Sequence, residues 1–148
     1  MTRENDVELS EGDGGNSKVQ DLKRRCEMVR KIQPDCVLSI HQNSYPEEAI
    51  HGAQVFYYED SSEGKKLAEI LQKHLVEGLD KENHRQAKGN RTYYMLKKTE
   101  ATLVIVECGF LSNNQEALLL TDEKYQNKVA KAICSGTLEY LSSLAEKK

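Results

Sequence analysis

What this 148-residue chain lacks excludes several classes of protein at once. No stretch approaches the ~20 consecutive apolar residues of a membrane-spanning helix. The longest apolar runs, Leu103 to Val106 among them, have only the length of a strand. The first residues are charged and polar, without the apolar segment of a secretory signal. Positive charge is not in excess. With 21 Lys and Arg against 24 Asp and Glu, the net charge of -3 leaves no footprint for a polyanion, which argues against nucleic acid as a partner. Cys26, Cys36, Cys108 and Cys134 contain no Cys-x-x-Cys spacing, so a thiol metal or redox motif has no sequence basis. Each cysteine stands among apolar residues and reads as a small buried hydrophobe; the redox compartment stays open.

The length suits one domain able to bury about 68–70% of its unfolded surface. Positions 4–17, with Gly12, Gly14 and Gly15, read as a flexible acidic loop. Val19 to Ile32 carries Leu22, Cys26, Val29 and Ile32 near helical spacing, and Pro34 closes that helix. A strand into His41 follows, then a loop from Pro46 to His51 and a strand from Ala53 to Tyr58. Ser61 or Ser62 is an N-cap for a helix presenting Leu67, Leu71, His74 and Leu75. Asp80 to Asn90 reads as an exposed loop, and Thr92 to Lys97 as a short strand before the strand into Glu107. Ser112-Asn-Asn-Gln115 fits a capping box, and Thr121 a cap for the last helix. That helix carries an apolar stripe of Tyr125, Val129, Ala132, Ile133, Gly136, Tyr140, Leu141 and Leu144, and frays at Lys147-Lys148. Strands alternating with helices imply an α/β fold: a mostly parallel twisted sheet with helices on both faces.

The chemistry concentrates at two strand ends. Val37-Leu-Ser-Ile-His41-Gln-Asn43-Ser-Tyr45 is a buried-strand run that stops at a histidine and a polar turn; Leu103-Val-Ile-Val106 stops in Glu107-Cys108-Gly109-Phe110. Open α/β sheets bind ligands in the crevice beyond the strand ends. If both strands share one parallel sheet, an imidazole and a carboxylate meet there, a pairing suited to a metal-assisted hydrolase. Each residue also has a plainer reading. His41 is a metal ligand or a structural histidine. Glu107 is a catalytic carboxylate or one held in a salt bridge or cap. Asn43 orients His41 or a substrate amide, or simply forms the turn. Arg85 and Lys88 bind a carboxylate of the substrate or are solvated, and Gly109 lets backbone approach substrate or makes a plain turn. His74 falls on an apolar helix face; His51 and His84 lie in polar loops without ligand spacing.

Ser39-Ile-His41-Gln-Asn43 and Val106-Glu107-Cys108-Gly109-Phe110-Leu111-Ser112-Asn113 resemble two signature motifs of the zinc-dependent N-acetylmuramoyl-L-alanine amidases (amidase type 3). Gly52-Ala-Gln-Val-Phe-Tyr-Tyr58, with His84-Arg85 downstream, is similar to the germination-specific type that acts on spore cortex peptidoglycan. The resemblance runs from Met1 to about Leu141. It implies His41 as a zinc ligand and Glu107 as the catalytic acid–base. It adds peptidoglycan as substrate and an extracytoplasmic site of action; Asn43 and Arg85 are the candidate substrate contacts beside these two residues. The family also opens with a strand into an Asp-Pro-Gly-His-Gly-Gly loop and a ligand glutamate, which nothing here matches, while Met1 to Asp6 resembles its Thr-Arg segment after the second strand. The resemblance therefore implies an amidase domain lacking its first strand–helix portion, with an incomplete Zn2+ site. Glu4, Asp6, Glu11 and Asp13 follow the wrong element to replace the missing ligands. The alternatives are a non-catalytic remnant that keeps the fold without zinc, and a thiol hydrolase using Cys108 with His41. The second is disfavoured because Cys108, adjacent to Glu107, points to the opposite sheet face. Oligomeric state has no sequence signal.

Overall fold

A computed structural model describes Met1 and residues 17–146. The loop expected at 4–17 lies almost wholly outside the described residues, as do Glu4, Asp6, Glu11, Asp13 and the Lys147-Lys148 end. The described elements run α1 (Ser17–Ile32), β1 (Val37–Asn43), β2 (Gln54–Tyr58), α2 (Ser62–Leu79), β3 (Lys88–Asn90), α3 (Tyr94–Lys98), β4 (Leu103–Phe110), α4 (Asn114–Thr121) and α5 (Glu123–Ala145). Their sheet has the order β1-β4-β2-β3. Two of its ladders, β1 with β4 and β2 with β3, are parallel. The middle ladder, β2 with β4, is antiparallel. The expected α/β architecture is present, in a mixed sheet.

Strand alternation divides the apolar residues between two layers. Val104, Val106 and Cys108 of β4 join Val55, α2 (Leu67, Ala68, Leu71, Leu75) and α5 (Val129, Ala132, Tyr140). Leu103 and Ile105 face the other way, with Phe56, Cys26 of α1, and Met95 and Leu96 of α3. All eight residues of β4 are buried, as its continuous apolar run requires of a central strand. Helices α2 and α5 come close at Gly136, where an added Cβ would lie 3.3 Å from the Leu71 backbone.

Several local expectations shift. Asn113, not Ser112, caps α4 by accepting from Glu116 N at 3.0 Å. Asp122, not Thr121, caps α5, accepting from Tyr125 N at 2.8 Å; its carboxylate is also the better partner for a helix N-terminus. The strand expected over Thr92 to Lys97 is instead a turn into α3. Asn90 Oδ1 accepts from Thr92 N at 2.7 Å and Tyr93 N at 2.8 Å, ending β3 and starting helical bonding. The loop expected from Asp80 to Asn90 thus ends in β3. Cys26 and Cys108 are buried as expected, but Cys134 is exposed: it sits on α5 outside the packed stripe.

The half of β2 that carries the site is finished by side chains. Its pairing with β3 begins at Phe56, leaving the Ala53 and Val55 backbone groups to find other partners. Buried Gln72 of α2 accepts from Val55 N at 2.9 Å and donates to Ala53 O at 3.1 Å. Buried Asn83 donates to the same carbonyl at 2.9 Å. Gln72 thus fastens α2, and Asn83 the loop that carries Arg85, to the start of β2.

Candidate active site

Because β1 and β4 run parallel in register, His41 and Glu107 are ladder partners at the C-terminal ends of their strands. Their side chains share the sheet face of Ser39, Leu103 and Ile105, beyond the end of the core on that side. His41 is exposed, with Nε2 2.9 Å from Ser39 Oγ. Glu107 is only 8% exposed, and its Oε2 is buried without a hydrogen-bond partner. Burial pushes its pKa above the ordinary carboxylate value. A buried acceptor with nothing to bind is costly, and such orphans concentrate where a group is held ready for a reacting partner.

Tyr93 lies near this carboxylate. Burial first, and then the Glu107 charge, raise its phenol pKa. Its ring meets Phe56 edge-on at 5.5 Å between centroids. Gln54 stands opposite Glu107 across the antiparallel ladder. Its Oε1 accepts from Arg85 Nη1 at 3.1 Å, and its Nε2 donates to Gln86 O at 2.9 Å. Cys108 faces away into the α2–α5 core, where burial, then the Glu107 charge, push its thiol up to about 11. That placement removes the thiol-hydrolase alternative, since neither geometry nor ionisation makes Cys108 a nucleophile beside His41.

Asn43 and Arg85 reach the same rim by different routes. The β1–β4 register slips after His41, so that Asn43 pairs with Phe110 and β4 carries the extra residue near Gly109. Asn43 O accepts from Leu111 N at 2.8 Å, while its side chain accepts from Ser44 N at 2.8 Å. In this structure its amide serves the turn. Arg85 is far from merely solvated. Its Nε donates to His51 O at 2.7 Å, and its guanidinium carbon stands 4.9 Å from the centre of the Phe110 ring. It also lines an open groove of about 500 Å³ with Gln72, Lys73, Asn83 and His84. Lys88 is exposed on β3, and His74 bridges α2 to α5 through Glu139 at 2.7 Å. His51 contributes its carbonyl, not its ring, to the Arg85 contacts.

Sequence reasoning missed Gln54, Tyr93 and Glu116. Only Glu116 carried a signal, the Asn113-x-x-Glu116 spacing of a helix start. Among the described residues, no group of three His, Cys, Asp or Glu side chains stands close enough to hold a metal ion. A catalytic zinc takes three protein ligands, so His41 with Glu107 does not by itself fit the zinc that the resemblance implies.

A strand-end imidazole in register with a carboxylate that has one buried, unpartnered oxygen, on a mixed α/β sheet, is an arrangement with the groups that acid–base chemistry uses. The chain belongs to the N-acetylmuramoyl-L-alanine amidase family, which it matches over residues 1–139. It is similar to the germination-specific N-acetylmuramoyl-L-alanine amidase of Bacillus subtilis (strain 168), at 38% identity over 145 residues, 96% of this chain and 61% of that protein. LytC of the same organism is 30% identical over 130 residues, 84% of this chain and 25% of that protein. Among solved structures, the CwlD amidase from Clostridioides difficile, in complex with the GerS lipoprotein, aligns with a TM-score of 0.91 at 38% identity. That alignment covers 96% of this chain and 74% of that one. The catalytic domain of CwlV from Bacillus (Paenibacillus) polymyxa var. colistinus aligns with a TM-score of 0.80 at 28% identity, over 95% of this chain and 70% of that one. The chain thus spans less than two thirds of the Bacillus subtilis germination-specific protein.

Proposed function

We propose that residues 1–148 belong to the catalytic domain of a zinc-dependent N-acetylmuramoyl-L-alanine amidase. The bond cut is the amide between N-acetylmuramic acid and L-alanine, in peptidoglycan of the cell wall or spore cortex, outside the cytoplasm. Glu107 carries the reading: a carboxylate with a raised pKa and a buried oxygen lacking any partner, in register with His41. In its charged form Glu107 takes a proton from the attacking water, then returns one to the departing L-alanine amine. Arg85, held over Phe110 beside an open groove, binds a carboxylate of the stem peptide, and Asn43 lines the same rim. Zinc is proposed from the resemblance, with His41 as the ligand the described residues offer.

Digestion of purified muropeptides tests the assignment. The expected product has a free L-alanine amine and an intact glycan strand. Glu107→Gln lowers turnover by about 10²–10⁴-fold, the usual contribution of a general acid–base group. New reducing ends, cleavage inside the peptide, or near-wild-type turnover in the Gln variant refute it. Failure of the wild-type chain to cut any muropeptide selects the alternative, a non-catalytic remnant.

A further inference from the structure

The two carboxylate oxygens of Glu116, near the rim, each accept a backbone N–H from a different loop. Its Oε1 accepts from Gly52 N at 3.0 Å, at the end of the β1–β2 loop. Its Oε2 accepts from Phe110 N at 2.8 Å, at the end of β4. A glutamate three residues into a helix usually reaches back to the N-cap N–H. Here that donor is already used, because Asn113 N donates to Phe110 O at 3.1 Å. The Glu116 side chain is therefore available to tie two loops together.

Both tied residues lead directly to Arg85. Gly52 follows His51, whose carbonyl accepts from Arg85 Nε at 2.7 Å. Phe110 supplies the ring beneath the guanidinium, 4.9 Å away. The contacts close into a ring: Glu116 to Gly52, His51 to Arg85, Arg85 to Phe110, and Phe110 back to Glu116. Two glycines make room for it. Gly52 has φ +98°, a backbone that side-chain-bearing residues rarely adopt, and a Cβ at Gly109 would lie 3.2 Å from the Glu116 carboxylate. Other bonds reinforce the same junction, with Tyr45 N donating to Ser112 Oγ at 2.9 Å and Asn113 Nδ2 to Glu48 O at 2.9 Å.

We infer that Glu116 is a positioning residue, whose carboxylate clamps the Gly52 and Phe110 backbones and so holds the Arg85 guanidinium against His51 O, Gln54 and the Phe110 ring. Its bearing on substrate rests on the amidase reading above; the clamp itself does not. An Arg side chain gives up much rotational freedom when it binds. A guanidinium already fixed by His51 O, Gln54 and Phe110 meets a carboxylate with that cost largely met by the fold.

Two measurements on the full chain separate the claims. In the first, hydrogen exchange is followed at the Gly52 and Phe110 amides and at Arg85 Nε–H, in wild type, Glu116→Gln and Glu116→Ala. Exchange accelerates at least about tenfold at all three sites in the Ala variant, the scale set by losing a charge-assisted bond. Val104 and Val106 amides keep their protection and report an intact core. Unchanged protection at Gly52 or Phe110 overturns the clamp. In the second, muropeptide kinetics show Glu116→Gln raising KM about tenfold while kcat stays within about twofold, the pattern of lost binding. In an Arg85→Ala background, Glu116→Gln adds nothing further, because both changes remove one unit. Additive effects, or a loss confined to kcat, overturn the link to Arg85. A wild-type chain that cuts no muropeptide refutes the amidase reading and leaves hydrogen exchange to decide the clamp.

Discussion

Replacing Glu107 with Gln should make the protein more stable while making it a worse catalyst. Glu107 is 8% exposed and has one carboxylate oxygen buried without a partner. Burial raises its pKa, so the folded state holds the proton more tightly than the unfolded chain does. The destabilisation from its charge is absent below the ordinary carboxylate range. It grows as pH rises through the elevated folded value, and is complete above it. Gln has the same shape and no charge. A buried unsatisfied acceptor costs about 1–3 kcal/mol, and more when charged. A neutral amide keeps part of that cost, which leaves a gain of about 1–2 kcal/mol at pH 7. In a chain of this size each kcal/mol moves Tm by about 2–4 °C, so the variant should melt roughly 2–8 °C higher at pH 7. Thermal unfolding followed by circular dichroism, repeated from pH 7 down into the carboxylate range, should show the two curves converging as pH falls. A Gln variant less stable than wild type at pH 7, or a difference that ignores pH, would refute the idea of an orphaned buried charge.

After exhaustive dialysis, elemental analysis should find well below one zinc per molecule, since among the described residues no group of three His, Cys, Asp or Glu side chains comes together and a catalytic zinc takes three protein ligands; stoichiometric zinc, lost in His41→Ala, would overturn this. With its thiol pushed up to about 11, Cys108 should be only about 0.1% thiolate at pH 8, from the three-unit gap. Peptide mapping after iodoacetamide should therefore find exposed Cys134 modified long before Cys108, and early Cys108 labelling would contradict its burial. Gly52→Ala places a Cβ 2.7 Å from Asn83 Oδ1 at φ +98°, and should cost about 1–3 kcal/mol in urea denaturation. A cost below 0.5 kcal/mol, the ordinary range for surface changes, would show that this loop is not held as described.

Much of this protein is legible one segment at a time. The apolar runs ending at His41 and Glu107, the helical stripe from Val19 to Ile32 and the stop at Pro34 are patterns of neighbouring residues, and each produced an element of the expected type, although β1, read as a buried strand, lies at the end of the sheet order and is only partly buried. The same locality put His41 and Glu107 at strand ends, and parity put Cys108 on the face opposite Glu107. Where neighbouring signals competed, the sequence misled. Thr92 to Lys97 has strand-like composition, yet the Asn90 side chain captures the Thr92 and Tyr93 amides and turns the chain into α3. Only the tertiary structure decides what depends on partners distant in the chain. It sets β4 between β1 and β2, with one ladder parallel and the other antiparallel, so that Gln54 and His41 flank Glu107. It leaves Glu107 Oε2 without a partner and turns a helix-cap glutamate, Glu116, into a tie between two loops 64 and 6 residues away in sequence. Periodicity reports which face a residue occupies. Which groups meet across that face is set by how the layers close, and no local pattern encodes it.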